Sequence, residues 1–546
     1  MDSTIVKHAV TIKTIANLFL VLMFLCACYL PLVKTMVSPT AAISETEKRK
    51  LAAPPVFKMN REGINAFPGQ FEAYFKDHFG FRELFIFLNS YVSVKWLGVS
   101  PMSAVILGKE DWFYWNKNRL AEDFRGANPM TPIEMEHWKA VIEDRQEWLA
   151  AQGIQHVLGI TPEKQTIYPE YLPDHLQAHR GITRLTQLEK YLKEHSTVQL
   201  IDWKTPLLTE KKKQQIYYRT DTHWNFRGGF IAYQTLMDRL TGFFPDIVAR
   251  PRSFFQERMI VDHDGGDLVF LMGLQHIFLE DQPIYKPQSL CSGRWKYNIE
   301  LADRGSYAMG CKTQKRVAVV FRDSYFNFIL PFLSEHFGKI IYIWDQYNHA
   351  MARQLIRDIQ PDLVIEEILE RFLIYDVKDA EGMKAIRNDL APERFNRSKH
   401  TYVTFDRKSG FPIMPVNDLN MVSDNSGLIL KSAGEDLQLL LPDCIPDSAR
   451  SLFIKIQISS PTNTDLQFFY RTQNEKVFCE KKSVVKSLKQ GLNEIYLYIP
   501  ERDYVGPLRL DPGKQPGTYI LHFMEIRGMD SETIRQTSAT PPKSES

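Results

Sequence analysis

Two periods of hydrophobic patterning alternate along residues 61–395. Short apolar runs rich in β-branched residues are typical of buried parallel strands, and longer segments with apolar residues three and four positions apart are typical of helices. Their alternation predicts a three-layer α/β domain, in which helices cover both faces of a mainly parallel sheet. The predicted strands are 156–160, 198–201, 317–321, 340–344 and 363–365, and the predicted helices are 134–152, 185–192, 226–240, 327 onward and 348–360.

The pattern changes near residue 400. Short alternating runs such as SLFIKIQI and NEIYLYI continue to residue 526, separated by clusters of Pro, Gly, Asn and Asp. This spacing predicts an antiparallel β-sandwich over residues 400–530. Residues 531–546 are rich in Ser, Thr and Pro, which predicts a disordered tail.

Residues 1–37 predict a membrane anchor. Ile15 to Val33 is a run of nineteen residues without charge, and Lys7 and Lys13 precede it. The run is long enough to cross a bilayer and would keep the N-terminus in the cytoplasm. A cleaved signal peptide is the alternative, although the run is longer than a usual h-region and has no clear small-x-small cleavage site before Pro31. With a linker at 38–60, the remaining domains are expected outside the cytoplasm, on the periplasmic or extracytoplasmic side of the inner membrane.

An Asp and a His two positions apart stand in the segment YRTDTHWNFRGGF, residues 218–230. On an extended or turning chain the Asp221 carboxylate can bond one imidazole nitrogen of His223 and leave the other free as a base. A nucleophile is expected from another element, and Ser324 fits because it follows the predicted strand 317–321. The N–H groups of the helix start after Ser324 could bind an oxyanion. Together the three residues predict a hydrolase-type catalytic triad.

Each feature alone has a simpler structural explanation. A single Ser on a turn is usually a cap, and an Asp-x-His pair is usually a local hydrogen bond. Trp224 could shield the triad from water or be an ordinary core residue. Arg227 could bind a carboxylate of a uronate polymer, or cap a helix and pair with an acid. The catalytic interpretation therefore depends on the Asp, the His and the Ser occurring together.

Several blocks occur in an order that resembles the SGNH-hydrolase-like polysaccharide O-acetyltransferases, typified by the alginate acetylation proteins AlgJ and AlgX. The resemblance covers most of residues 45–375, and in that family, as here, the Asp and His precede the Ser. It implies Ser324 as the acyl-accepting nucleophile, His223 as general base and acid, and Asp221 as the residue that orients His223. The blocks are DTHW at 221–224 with Arg227 and Gly228, FRDSY at 321–325 and FEAYFKDHFGFR at 71–82, with weaker agreement at VILGKEDWFYW, TPEKQTIYPEYLP, GGDLVFLMG and PDLVIEEILERFL.

The resemblance further implies an SGNH hydrolase-like fold for residues 61–395. Arg322 stands where many SGNH enzymes have Gly. Members similar to AlgX append a carbohydrate-binding β-sandwich, which makes residues 400–530 a candidate module of that kind. All nine Trp precede residue 345, so such a module would rely on Tyr and Phe. The candidate substrate-binding residues are Trp224, Arg227, Arg322 and Tyr325.

The function implied by the resemblance is O-acetyl transfer to an exported polysaccharide, alginate-like or another exopolysaccharide, through an acylated serine. Acetyl-CoA is unavailable outside the cytoplasm, so a membrane-bound O-acyltransferase is the implied acetyl donor, alongside other polysaccharide export proteins. The chain itself is expected to need no cofactor. Two alternatives stay open: a carbohydrate acetyl esterase with the same triad, and a non-catalytic glycan-binding scaffold of an export complex.

Composition narrows the partners and the chemistry. The net charge of +2 is dispersed and no nucleic-acid motif occurs, so no nucleic-acid partner is expected. Outside the anchor, four cysteines form two near pairs, which predicts one disulfide in each of two domains in an oxidising compartment. Their spacing does not fit a zinc site, so no metal is expected. The pairs are Cys291 with Cys311, and Cys444 with Cys479.

Overall fold

The computed structural model contains fourteen α-helices among the residues that it describes. These residues are 2–37, 43–44, 49–288, 292–296, 306–375, 377, 380–406, 413–417, 419–432, 434, 436–443, 451–473, 475–499 and 504–528, so the predicted tail lies outside them. The helices are α1 (Asp2–Val37), α2 (Arg61–His78), α3 (Arg82–Tyr91), α4 (Leu120–Phe124), α5 (Pro132–Ala150), α6 (Lys164–Ile167), α7 (Asp174–Gln177), α8 (Arg184–His195), α9 (Lys204–Glu210), α10 (Phe226–Phe243), α11 (Asp267–Phe270), α12 (Leu330–Leu333), α13 (His349–Ile359) and α14 (Ala380–Arg397).

The strands lie mainly in one central sheet and in two C-terminal sheets. In chain order they are β1 (Ile43–Ser44), β2 (Arg49–Lys50), β3 (Val105–Leu107), β4 (Phe113–Trp115), β5 (Gln155–Thr161), β6 (Phe255–His263), β7 (Glu280–Pro287), β8 (Ser292–Lys296), β9 (Tyr307–Cys311), β10 (Val317–Phe321), β11 (Lys339–Ile343), β12 (Leu363–Leu369), β13 (His400–Phe405), β14 (Met414–Asn417), β15 (Leu419–Asp424), β16 (Gly427–Ser432), β17 (Gln438–Leu440), β18 (Leu452–Ser460), β19 (Thr464–Phe469), β20 (Ser483–Leu488), β21 (Gly491–Ile499), β22 (Arg509–Asp511) and β23 (Gly517–Gly528).

The central sheet has the strand order β5-β12-β10-β11-β9-β8. Its first four strands are parallel neighbours, and β9 and β8 continue the sheet in antiparallel pairing. Strand β10 shows why the parallel strands are nearly all apolar. Ala318 and Val320 pack into the core beside α10, whereas Val319 and Phe321 pack into a second core that contains residues of α5, α13 and α14. Both faces of β10 are therefore buried, as expected for a central parallel strand.

Most of the predicted helices and strands of this domain are confirmed within a few residues of their predicted ends, and two predictions are wrong. The predicted strand 198–201 forms only a single parallel bridge between Ile201 and Gly159. Helix α9 begins three residues later, which leaves no room for a longer strand. The helix expected from residue 327 is instead a 3₁₀ turn followed by the short α12, because Pro331 is accommodated only in the first turn of a helix.

The C-terminal strands form two antiparallel sheets that contribute to one hydrophobic core. One sheet has the order β15-β16-β23-β18-β21, with β13 also pairing with β23, and the other has the order β14-β17-β22-β19-β20. Helix α14 joins this region to the α/β domain. Its Arg394 pairs with Asp144 on α5 at 2.6 Å, and its Phe395 ring lies 5.6 Å from the Tyr496 ring on β21. The outer face of β21 is therefore covered by a helix.

One of the two predicted disulfides is wrong. Cys311 is disulfide-bonded, as predicted, while its predicted partner Cys291 lies outside the described residues, as does Cys444. Cys479 is a free thiol. Its S–H donates to the Glu475 carboxylate of the same loop, with Sγ 3.0 Å from Oε2, so the sulfur is directed at a neighbouring acid.

The packing of Gly159 against Trp203 generates a prediction about stability. A β-carbon at position 159 would overlap the buried indole ring of Trp203. We expect Gly159→Ala to lower the free energy of unfolding by about 1–3 kcal/mol, as over-packed cores generally do. Chemical denaturation measures the change. The control is Gly242→Ala on α10, where a β-carbon meets no atom within 4 Å, so an equal loss there would contradict the packing argument.

Candidate active site

A tight loop at the start of α10 presents Asp221 and His223. The loop is closed by a bridge between Tyr217 and Trp224, and the Tyr218 N–H donates to the His223 carbonyl at 3.1 Å. Asn225 ends the loop by accepting hydrogen bonds from the first N–H groups of α10. The sequence TDTHWN therefore forms a short turn followed by a capped helix.

Ser324 lies three residues beyond the carboxyl end of β10, and its hydroxyl reaches His223. The Ser324 Oγ–H donates to His223 Nε2 at 2.7 Å. On the other side of the ring, His223 Nδ1–H donates to Asp221 Oδ1 at 2.6 Å. The three residues predicted from the sequence thus form one continuous chain of hydrogen bonds.

A second carboxylate, Asp267 at the start of α11, was missed by the sequence reasoning. It accepts from the Thr222 N–H at 2.7 Å and from the Thr222 hydroxyl at 2.6 Å, and its Oδ2 lies 3.9 Å from His223 Nδ1. Its own N–H donates to Asp221 Oδ2 at 2.9 Å. The only available signal was its position in the block GGDLVFLMG. Asp267 therefore fixes the loop and adds negative charge beside the imidazole.

These charges set the pKa values of the pair. Burial lowers the pKa of His223, but the Asp221 carboxylate outweighs burial, with help from Asp267, so the net pKa is raised above its ordinary value. Burial raises the pKa of Asp221, but the facing imidazole outweighs it and holds that pKa at about 2. Burial and the charge of Asp221 raise the pKa of Asp267. Around neutral pH, Asp221 is thus ionised and available to stabilise a protonated His223.

Lys164 binds the backbone of the loop that carries Asp221 and His223, and the sequence reasoning missed it as well. Its ammonium group donates to the carbonyls of Tyr218, Arg219 and Asp221 at 3.0, 3.0 and 2.6 Å. Three donors on three acceptors satisfy a lysine completely. Burial lowers the pKa of Lys164 to about 8. Glu280 also binds this loop. It accepts hydrogen bonds from the Arg219 N–H, the Thr220 N–H and the Thr220 hydroxyl.

Two buried hydrogen bonds tie the histidine loop to the serine turn. Trp224 Nε1–H donates to the Tyr325 carbonyl at 2.9 Å, and the Tyr325 hydroxyl donates to the Thr222 carbonyl at 2.6 Å. The Tyr325 ring also lies against the His223 ring, with centroids 4.6 Å apart. Trp224 and Tyr325, two of the predicted substrate-binding residues, are therefore buried supports of the site, and the core interpretation of Trp224 holds.

The other two predicted substrate-binding residues are engaged within the protein. The buried Arg322 lies over the Trp344 ring and donates to the Asp323 carbonyl and to Asn327. Arg227 forms an ion pair with Glu257 at 2.7 Å, as in the structural alternative for this residue. Both guanidinium groups thus have partners within the protein.

The turn around Ser324 differs from the predicted oxyanion site. The Tyr325 N–H donates to Asp323 Oδ1 at 2.8 Å, so it is not available to a substrate oxygen. Asp323 in turn contacts Glu367, whose Oε2 accepts the Asp323 N–H at 2.9 Å. Burial and the adjacent Glu367 carboxyl hold the pKa of Asp323 well above its usual range. The Ser324 N–H has no acceptor among the residues that the structure describes.

The ligand atoms of Asp221, His223 and Asp267 lie within 4.8 Å of one another, close enough to surround a metal ion. The hydrogen bonds already described occupy both His223 nitrogens, one by Asp221 and one by Ser324. A metal ligand needs a free nitrogen lone pair directed at the ion. The arrangement thus fits a proton relay better than a metal site.

Comparison with known proteins identifies the class of this domain. Residues 105–370, just under half of the chain, match the family model described as ALGX: SGNH hydrolase-like domain, acetyltransferase AlgX. Residues 105–370 thus resemble the SGNH hydrolase-like domain of the AlgJ/AlgX family, as the sequence blocks indicated.

Among individual relatives, the chain is similar to proteins named probable alginate O-acetylase AlgJ. It is 27% identical over 219 residues to the one from Pseudomonas syringae pv. tomato, covering 40% of this chain and 53% of that protein. It is 24% identical over 329 residues to the one from Azotobacter vinelandii, covering 57% and 81%. Among solved structures, the O-acetyltransferase domain of Pseudomonas putida AlgJ superposes with a TM-score of 0.36 and 21% identity, covering 52% of this chain and 99% of that one. The chain thus spans about half the length of the first of these relatives.

The raised pKa of His223 generates a prediction about pH. A base must be neutral, so activity should rise with pH through a midpoint above about 6.5, the ordinary histidine value. The ion pair with Asp221 stabilises the fold fully below that ordinary value and is lost as pH rises through the raised one. As pH rises, activity should therefore increase while the stabilisation from the His223–Asp221 ion pair decreases. The pH profiles of ester hydrolysis and of thermal unfolding measure the two changes. Asp267→Asn should move the activity midpoint to lower pH, and an unshifted midpoint would contradict the role of Asp267.

Removal of Lys164 should disorder the catalytic loop. Lys164→Met keeps most of the side-chain volume but removes the donor of the Tyr218 and Asp221 carbonyls, at a cost of about 1–3 kcal/mol for each group. The Arg219 carbonyl still accepts the Phe113 N–H. We expect lower thermal stability and at least a tenfold loss of activity. Lys212→Met, at an exposed position, is the matched control. Wild-type stability and activity in Lys164→Met would contradict this role, because the loop would then keep its structure without Lys164.

Proposed function

We propose that this chain is an O-acetyltransferase that modifies hydroxyl groups of an exported polysaccharide through an acetylated Ser324. The observation that carries the proposal is the unbroken chain Ser324–His223–Asp221, with donor–acceptor distances of 2.7 and 2.6 Å. The match to an acetyltransferase family model and the relatives named alginate O-acetylase support the choice of acyl group and acceptor. Alginate or a related exopolysaccharide is the proposed polymer.

The first half-reaction forms the acetyl ester. Ser324 Oγ attacks the donor carbonyl as its proton passes to His223 Nε2, and ionised Asp221 stabilises the resulting imidazolium. The Ser324 N–H is the available backbone donor for the developing oxyanion. The imidazolium then gives its proton to the leaving group, which departs and leaves acetyl on Ser324.

The second half-reaction transfers the acetyl group. A sugar hydroxyl attacks the ester while His223 takes its proton, and the proton returns to Ser324 Oγ as the C–O bond to serine breaks. Water in place of the sugar would give the esterase reaction with the same residues. Transfer therefore requires that the acceptor hydroxyl reach the ester before water does.

The cellular location of the reaction is proposed from the N-terminal helix. The described part of the chain contains one helix, Thr14–Val37, that is long and apolar enough to cross a membrane. We propose that it anchors the protein in the inner membrane with residues 61–395 in the periplasm. A membrane-bound O-acyltransferase is the proposed source of acetyl groups, acting with other polysaccharide export proteins.

For the architecture we propose a three-layer α/β/α catalytic domain and a C-terminal β-sandwich over residues 400–530. The two separate cores on the faces of β10 support three layers, and the common core of the two C-terminal sheets supports a sandwich. The sandwich is a candidate glycan-binding module. Its β18–β21 face is not available for sugars, because Phe395 and Arg394 of α14 cover Tyr496 and Tyr498 there.

Substitution of the nucleophile tests the reaction. Ser324→Ala should reduce hydrolysis of a chromogenic acetyl ester by about a thousandfold or more, because the hydroxyl forms the covalent bond. It should equally abolish acetyl transfer to alginate oligosaccharides, followed by mass spectrometry. Ser253→Ala, an exposed serine of the same domain, is the control and should keep full activity.

The same assay separates the transferase from its alternatives. Rapid quenching of the wild type should trap one acetyl group on the peptide that contains Ser324. With increasing acceptor, transfer should grow at the expense of hydrolysis. Hydrolysis without transfer at any acceptor concentration would identify an esterase. A wild-type protein that gains no acetyl group on Ser324, and whose glycan binding is the same as that of Ser324→Ala, would identify a scaffold.

A further inference from the structure

The hairpin of α2 and α3, residues 61–91, carries an apolar surface that the catalytic domain does not cover. Helix α2 has no buried residue. An isolated helix of 18 residues is only marginally stable in water, so most of its stability must come from packing of an apolar face. Along that face phenylalanine rings follow one another with centroids 5.3 to 6.2 Å apart. The rings, called here the phenylalanine ladder, are Phe57, Phe67, Phe71, Phe75, Phe79 and Phe85.

Helix α3 has one broad apolar face, and the described residues of the protein cover only part of it. Phe87 and Tyr91 pack against a core cluster that includes Leu268 of α11, the helix that begins at Asp267. Leu84 and Leu88 continue this face on its other edge, and each is 45% exposed or more. The helix thus rests on the α/β domain with one edge of its apolar face and leaves the other edge exposed.

A contact with α1 fixes the position of this surface. The Gly80 N–H, in the turn between α2 and α3, donates to Thr35 Oγ1 at 2.8 Å. The approach is so close that a β-carbon at Gly80 would overlap the Pro31 carbonyl and Lys34. The apolar run that ends at Val33 is about 28 Å long, close to the thickness of a bilayer core of about 30 Å. Gly80 therefore lies at the level where α1 leaves the membrane.

We propose that the α2–α3 hairpin lies in the outer headgroup region of the same bilayer that α1 spans, with the phenylalanine ladder against lipid. The surface is continuous with the transmembrane helix through Gly80, which favours lipid as its occupant. Trp96, 74% exposed just after α3, is the kind of residue that membrane interfaces concentrate. The inference rests on the proposed membrane anchor.

The consequence concerns the catalytic site. Because α3 packs on α11, the hairpin links the membrane surface to the residue that holds the Asp221 loop. The hairpin would keep the catalytic domain at a fixed height and orientation above the bilayer. An acetyl donor embedded in that bilayer would then meet Ser324 from a defined direction.

The test uses full-length protein in vesicles of phosphatidylethanolamine and phosphatidylglycerol that contain nitroxide-labelled lipids. The difference in fluorescence quenching between wild type and Trp96→Phe isolates Trp96. We expect strong quenching of Trp96 by a nitroxide near the headgroup and weaker quenching by one at the end of the acyl chain. Phe71→Asp should reduce the quenching at least twofold, whereas Asn65→Asp, an exposed position off the ladder, should not.

Two further outcomes would overturn the inference. Unquenched Trp96 in protein that still resists carbonate extraction would leave the anchor intact and place the hairpin in water. A dimer in detergent that Phe71→Asp dissociates would assign the ladder to a second copy of the chain. Release of wild-type protein by carbonate would instead contradict the anchor itself, so the two failures are distinguishable.

Discussion

The catalytic arrangement depends on the joint between two segments that are far apart in the chain. Trp224 and Tyr325 exchange hydrogen bonds across this joint, the indole with the Tyr325 carbonyl and the phenol with the Thr222 carbonyl. Both side chains are fully buried, so neither bond can be exchanged for water without leaving a buried polar group unpaired. The bonds bracket His223 and Ser324 and hold the 2.7 Å contact between them.

Charge balance is the second requirement of the site. Three carboxylates contact one loop, those of Asp221, Asp267 and Glu280. Lys164 contacts the same loop as a buried cation. Each acid accepts hydrogen bonds from the loop, so the charges serve as supports as well as sources of field. Burial lowers the pKa of His223, but Asp221 and Asp267 together raise it and so favour the protonated form, which the proposed first half-reaction generates. The geometry of the loop and the basicity of its histidine therefore have the same origin.

The catalytic domain is held at both ends by helices. Helix α14 packs between α5 and the C-terminal sheets, with Arg394 on Asp144 and the Ser398 hydroxyl just beyond the helix on the Gly528 carbonyl. At the other end, α3 contacts the cluster that carries α11. In the proposed function, a polymer held by the C-terminal sheets and a donor in the membrane would both be presented to Ser324 by rigid elements. Such fixed geometry would favour the proposed transfer over hydrolysis, because an oriented acceptor competes better with water.

The sequence by itself determined the elements whose signals are local. Apolar runs such as VAVVF define buried strands, because a strand covered on both faces has no polar side. The Asp-x-His spacing and the Ser after a strand located the three residues of the hydrogen-bonded chain. The segment 198–201 has a similar apolar pattern, but α9 begins too soon after it for more than one bridge to form.

Only the tertiary structure decided which side chains support the site. Lys164 and Asp267 have no local pattern that marks them, because their partners lie 54 to 57 and 45 to 46 residues away and meet them only after folding. Trp224 and Tyr325 were expected to face substrate, but burial depends on neighbours from other elements. The free state of the Cys479 thiol also depends on the tertiary structure, because folding directs its sulfur toward Glu475. Periodicity and spacing act within a segment, whereas burial and pairing are properties of segments brought together.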